Sequence, residues 1–191
     1  ARGEWRDKSR PILINNWEAT YFDFTREKLI AIAQKAKECG VELFVLDDGW
    51  FGARTTDHAG LGDWVANPDR LPDGITGIAE DIENVGLKFG LWFEPEMTNK
   101  DSDLYREHPD FSRKEVVDRI YEMMAKILST AKVSYVKWDM NRSITECYSA
   151  ALPADRQGEV FHRYILGVYD LYERLTSVFP HVLFESCASG G

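Results

Sequence analysis

Short apolar runs of strand length alternate along this chain with stretches in which apolar residues return every three or four positions. That alternation predicts a parallel sheet built from repeated strand–helix units. Ile12-Leu13-Ile14 is the first strand. Thr25 is placed to cap a helix in which Leu29, Ile32, Ala33 and Ala36 share one face, and Gly40 ends it. Residues 41–46 form the second strand, apolar except for Glu42, as suits a strand covered on both faces. After a long loop rich in Gly and Asp, residues 75–84 make a short helix with Gly86 as its stop, and 87–93 make the third strand. A helix over 114–130 buries Val116, Val117, Ile120, Met123, Met124, Ile127 and Leu128, and 133–138 is the fourth strand. The last helix carries Phe161, Ile165, Val168, Leu171, Tyr172 and Leu175 at helical spacing; 182–184, after Pro180, is the fifth strand.

Five strands with four crossover helices fit an open doubly wound sheet or part of a (β/α)8 barrel. The loops separate the two. The first strand is followed by Asn15-Asn16-Trp17-Glu18-Ala19-Thr20, and no G-x-G-x-x-G or Walker sequence occurs anywhere. Polar groups instead follow strand after strand: Asn15 and Asn16, Asp47 and Asp48, Glu94 and Glu96, Asp139, then Glu185 and Cys187. In a barrel these ends share one rim, where the active sites of such folds lie. The expected fold is therefore α/β, a partial (β/α)8 TIM barrel of about five parallel strands and four helices, with 1–191 as a single incomplete catalytic domain.

Composition narrows the function classes. The 191 residues are 44% hydrophobic and 29% charged, as in one soluble globular domain. With 23 basic against 32 acidic residues the net charge is -9, which argues against nucleic acid or an anionic membrane as partner. No apolar run reaches the roughly 18 residues of a spanning helix, and the first residues lack a secretory stretch. Cys39, Cys147 and Cys187 are too few and too irregular for a disulfide framework or a zinc site, so a reducing compartment, the cytoplasm, is expected. Ala1 at the start and Gly191 directly after a strand-like run read as a piece of a longer protein.

Candidate chemistry gathers on the fourth strand. Lys137, Asp139 and Asn141 alternate and should point together, and a lysine beside a carboxylate keeps it ionised, as a nucleophile requires. A buried structural ion pair would read the same way. Trp92 and Glu94 share a face by the same rule. Trp17, Trp50, Trp92 and Trp138 lie at or just beyond strand ends, where aromatic faces beside carboxylates suit a sugar, core packing being the alternative for each. His58, His108, His162 and His181 show no metal-ligand spacing, and no serine sits in a nucleophile elbow. Cys187 either lines the site or fills space as a small hydrophobe. Two rival readings stay open: a Mg²⁺-dependent barrel enzyme with Asp47, Glu94 and Asp139 as oxygen ligands and Lys137 as base, and a non-catalytic half-barrel scaffold.

Five motifs taken together identify a family. Asn15-Asn16-Trp17-Glu18-Ala19, Leu46-Asp47-Asp48-Gly49-Trp50-Phe51, Gly90-Leu91-Trp92-Phe93-Glu94-Pro95-Glu96-Met97, Tyr135-Val136-Lys137-Trp138-Asp139-Met140-Asn141-Arg142 and Phe184-Glu185-Ser186-Cys187 resemble, in order and over nearly the whole chain, the catalytic barrel of glycoside hydrolase family 36 α-galactosidases. The resemblance implies the amino-terminal half of a retaining hydrolase of terminal α-galactosides such as melibiose and raffinose, with Asp139 as nucleophile. It further implies that Asp47 and Asp48 bind galactose hydroxyls, that Lys137 and Asn141 hold the sugar near the nucleophile, and that Trp17, Trp92 and Cys187 shape the pocket. No metal or organic cofactor is implied.

Three departures from the family pattern carry expectations of their own. The general acid of the family is an aspartate on a later strand, so this chain should show at best trace hydrolysis by itself. After His108-Pro109-Asp110 the family carries an excursion with a substrate-binding arginine, whereas Phe111-Ser112-Arg113 here leads straight into the helix, and Arg113 does not take that role. Ser189 stands where many relatives have glycine. The expected partners are α-galactoside sugars and, through two open sheet edges, a second copy or the remaining half of the barrel, with neither nucleic acid nor membrane.

Overall fold

Each strand lies beside its predecessor in the chain. In the computed structural model, which describes residues 3–107, 114–145 and 147–188, β1 (Leu13–Asn15), β2 (Leu43–Leu46), β3 (Lys88–Phe93), β4 (Val133–Trp138) and β5 (Leu183–Ser186) form one sheet in that order. All four pairings are parallel. A doubly wound sheet reverses its order at a switch point, and this sheet does not; uninterrupted sequential order is that of a barrel wall. The segments containing Asp110 and Arg113, and Ser189, lie outside the described residues.

The crossovers are α2 (Arg26–Glu38), α3 (Gly74–Val85), α5 (Lys114–Thr130) and α6 (Val160–Val178), the four that the apolar periodicity predicts. Thr25 caps α2 as expected, its hydroxyl accepting from the Lys28 amide at 3.3 Å. Two further helices, α1 (Trp17–Thr20) and α4 (Asp103–Glu107), and the 3-10 turns at Gly3–Trp5 and Ala154–Glu159 have no counterpart in the periodicity, because pieces this short complete no amphipathic repeat.

Strand alternation sorts side chains onto two faces. Phe44, Leu46, Phe89, Leu91, Phe93, Val136 and Trp138 belong to a large buried cluster with Leu29, Ile78, Ile82, Ile120, Met124, Leu171 and Leu175 of the helices. Leu43, Val45, Tyr135 and Leu183 form a second cluster on the inner face, and Trp5 joins them at the amino ends of the strands, its indole N–H donating to His181 O at 2.8 Å.

The sheet curls around that inner face. β3 lies between β2 and β4, yet Lys137 Nζ on β4 reaches Asp47 Oδ2 just past β2 at 2.9 Å. Flat neighbours-but-one would stand close to 10 Å apart at about 4.8 Å per strand. Gly90 makes the curl possible at its centre: a Cβ there would meet Tyr135 Cδ1 at 2.9 Å and Val45 Cγ2 at 3.2 Å. The Tyr135 ring lies across the space that a side chain on β3 would fill.

Candidate active site

Where the strands end, the inner face opens into a cavity of about 820 Å³. Trp17, Asp47, Asp48, Trp92, Lys137, Asp139, Asn141 and Cys187 all line it, contributed by the ends of all five strands or the turns after them.

Asp139 is 5% exposed and held from several directions. Its Oδ2 accepts from Trp92 Nε1 at 3.0 Å and from Asn141 Nδ2 at 3.0 Å, and its Oδ1 accepts from the Met140 amide at 3.0 Å. Its own amide donates to Phe93 O at 2.8 Å, which ties the end of β4 to that of β3. Hydrogen bonds to the ionised form stabilise a carboxylate against the cost of burial and fix its orientation.

Asp47 is held as firmly, at the end of β2. Besides Lys137 Nζ it accepts from the Asn15 side-chain amide and, through Oδ1, from the Asp48 amide at 2.8 Å; its own amide donates to Asn16 Oδ1 at 2.8 Å. Burial favours the neutral amine of Lys137, but the Asp47 carboxylate, with smaller contributions from Cys187 and Asp139, outweighs it and holds Lys137 above the ordinary lysine value. The ammonium therefore stays charged within the cavity.

Two carboxyls are pushed the other way. Burial raises Asp48 above the ordinary aspartate value against the opposing pull of Arg54, and neighbouring Asp47 adds to the rise. Burial likewise raises Glu94, with Asn141 opposing and Asp139 adding. The Asn141 amide donates to Glu94 Oε1 at 2.6 Å, so Glu94 anchors the turn that carries Asn141. Glu185 on β5 lies above the ordinary glutamate value through burial and accepts a hydrogen bond from the Tyr135 hydroxyl.

The tryptophans divide, and two of the four expected at the rim are corrected. Trp17 and Trp92 line the cavity. Trp50 is fully buried, donates from Nε1 to Trp92 O at 2.9 Å, and packs edge-on against Phe51 and Phe93. Trp138 points to the helix side, where it stacks on Tyr172 at 4.1 Å between ring centroids and donates to Glu96 Oε1 at 2.7 Å. Glu96 thus also faces away from the cavity, with Tyr164 as its second donor. Trp64, from the loop after β2, belongs to the same aromatic slab as Trp50, Phe51 and Phe93.

Asp47 is engaged by Lys137, Asn15 and the Asp48 amide, while Glu94 and Asp139 are bridged by Asn141. Among the described residues no group of three or more His, Cys, Asp or Glu is arranged to hold a metal ion. The sequence reasoning missed Arg54, which is 4% exposed and borders the cavity beside Asp48. An isolated arginine in a Gly- and Asp-rich loop, six positions after an acidic pair, was the available signal.

The Melibiase family model matches residues 1–112 and 110–191. α-Galactosidase AgaA of Geobacillus stearothermophilus is 52% identical over 211 aligned positions, and α-galactosidase Mel36A of Lactobacillus acidophilus 50% identical over 210. Both alignments take in all of this chain and 29% of the relative, so the chain spans under a third of the length of these curated relatives. The crystal structure of the Geobacillus GH36 enzyme superposes with a TM-score of 0.94 at 51% identity, covering 98% of this chain and 29% of that one. Variants of that enzyme have been solved with raffinose and with stachyose. Whole-chain identity at this level and a family match running through the sequence place the chain in the Melibiase family, the α-galactosidases of glycoside hydrolase family 36.

Proposed function

We propose that this chain supplies the nucleophile side of a retaining α-galactosidase site acting on terminal α-galactosides of the raffinose type. The observation that carries the reading is Asp139: a buried carboxylate that borders the cavity and is oriented by Trp92, Asn141 and the Met140 amide. In the first step a carboxylate oxygen of Asp139 attacks the anomeric carbon from the face opposite the leaving group. A galactosyl ester forms as the glycosidic bond breaks, and the leaving oxygen takes a proton from a second carboxyl group. In the second step water displaces Asp139 with the same carboxyl as base, restoring the α configuration.

Asp47 and Asp48 are proposed to accept sugar hydroxyls, with Lys137 and Asn141 placing the ring over Asp139. Trp17, Trp92 and Cys187 form the walls. The general acid, which in a retaining pair stands about 5–5.5 Å from the nucleophile, is proposed to lie on another segment of the polypeptide, as the resemblance to the family implies. Hydrolysis by this chain alone should then fall by the 10²–10⁴-fold that general acid catalysis typically contributes. The alignment of 211 positions against 191 residues, with the two family matches meeting at 110–112, supports a shortened connection before α5.

β1 and β5 are the edges of the sheet, and Ile12 beside β1 is 63% exposed. Pairing of these edges with further strands, in the same polypeptide or a second copy, is part of the proposal. No helix among the described residues is long and apolar enough to cross a membrane. A reducing compartment such as the cytoplasm is part of the proposal, supported by the exposed free thiols of Cys39 and Cys147.

The test is mass spectrometry after exposure to an α-galactoside with an activated leaving group, which does not depend on the acid. One galactosyl unit on the peptide containing Asp139, absent from D139N, is the expected result. An unlabelled chain, or a label elsewhere, overturns the assignment.

A further inference from the structure

The loop after β2 holds a buried cation that none of these roles uses. Arg54 Nε donates to Asp48 Oδ1 at 2.9 Å and its Nη2 donates to Asp48 Oδ2 at 2.7 Å, a two-pronged pairing. Its Nη1 donates to Ala59 O at 3.2 Å and to Asn99 Oδ1 at 3.0 Å, and the guanidinium lies 5.7 Å from the Phe22 ring centroid. Asn99 is itself fixed by the Leu61 amide at 3.0 Å. A planar fork pinned at this many points is organised before any ligand arrives. A carboxylate offers about four acceptor sites, and Arg54 Nε, Arg54 Nη2 and the Gly49 amide engage three, so Asp48, which lines the cavity, keeps capacity for one more donor.

We propose that Arg54 is a positioning residue of the sugar site: gripping Asp48 from the loop, it fixes that carboxylate in one orientation, ionised, as acceptor for a hydroxyl of the bound galactosyl group. The sugar half of this statement rests on the α-galactoside reading; the grip on Asp48 stands on geometry alone. The charges around Asp48 show why Arg54 is needed. Burial and adjacent Asp47 both favour the neutral acid, while Arg54 and the Gly49 amide oppose them. Arg70, a second cation near this loop, directs its Nη1 to Gly49 O at 2.9 Å, and Lys137 pairs with Asp47. Lysine could supply charge at position 54 but not the two-pronged geometry.

The experiment follows the Asp48 carboxyl by ¹³C NMR and galactose affinity by calorimetry, both against pH, in wild type, R54M and R54K. An opposite charge in contact typically lowers a carboxylate by about 1–3 pH units, so R54M should raise the Asp48 midpoint by at least about one unit. Its galactose affinity near neutral pH should fall about tenfold or more, with the loss following the Asp48 titration. R54K, closer in volume and charge, should fold and fall between the two. An Asp48 midpoint unmoved in both folded variants, or affinity equal to wild type in both, overturns the proposal; a merely structural role would lower thermal stability without moving that midpoint. A wild-type chain with no galactose affinity refutes the α-galactoside reading instead, and the Asp48 titration then still decides the grip of Arg54.

Discussion

Lys137 on β4 passes over β3 to place its ammonium 2.9 Å from Asp47 at the end of β2. The contact spans three strands of a curled sheet, and it joins curvature to chemistry. It fixes one carboxylate and one ammonium side by side in the cup, one layer above the point where Gly90 leaves room on the inner face for the Tyr135 ring.

K137M leaves Asp47 buried with Asn15 and the Asp48 amide as donors but without that cation. Breaking a buried pair from one side typically costs about 3–5 kcal/mol. The Lys137 side chain keeps 22% exposure, so the lower end, about 3 kcal/mol, is expected from urea denaturation. K137M/D47N should recover part of the loss, a coupling of about 1–3 kcal/mol. Strictly additive single losses would show that the pair contributes nothing.

G90A places a methyl group 2.9 Å from Tyr135 Cδ1 and 3.1 Å from its Cβ, the latter too near the backbone to swing aside. Overpacking of this kind typically costs about 1–3 kcal/mol. A lowered melting temperature is expected, with partial rescue in G90A/Y135L, where the ring is gone. Equal melting temperatures for wild type and G90A would mean that Tyr135 does not occupy the middle of the inner face.

What the sequence disclosed and what it hid follow from period. Lys137 and Asp139 line one cavity because alternation along β4 carries on to the residue just past its end, and that is legible without coordinates, whereas Asn141 joins them through a turn held by Glu94. The same rule sends Trp138, between Lys137 and Asp139, to the helix side; grouping it by its place at a strand end overlooked its parity. Trp50 lies in a loop, where no repeat tells which way a side chain turns, and it entered the core. Arg54 and Asp48 meet through the folding back of that same loop, which brings Phe51 into a bridge with Ala66. Contacts of that kind leave no spacing to read.

Glu94 gives the protein a pH signature. Its folded value lies above the ordinary glutamate value of 4.5, so between the two the folded chain binds more protons than the unfolded one. Stability must fall as pH rises through that window. E94Q keeps an acceptor for the Asn141 amide and removes the buried charge. Melting curves should show E94Q more stable than wild type near pH 7 and no better at pH 4. A Glu94 that stabilised the fold by its charge would give the opposite order at neutral pH.

Trp92 gives the sharpest test of how Asp139, the proposed nucleophile, is held. W92F keeps an aromatic ring in the wall but deletes the Nε1–H that donates to Asp139 Oδ2 at 3.0 Å, while the Trp50 indole still finds the carbonyl of residue 92. A hydrogen bond to a charged group contributes about 1.5–3 kcal/mol, and a loss of that size is expected in denaturation. The released carboxylate also samples more orientations, so galactosyl labelling by an activated α-galactoside should slow about tenfold or more. The contrast with Asn141, a second side chain donating to Oδ2, fixes the cause. Asn141 is exposed, so N141A should slow labelling with a smaller loss of stability than W92F. If W92F labelled at the wild-type rate, orientation of Asp139 would have to come from Asn141, the Met140 amide and the backbone tie to Phe93, and Trp92 would serve only as a wall.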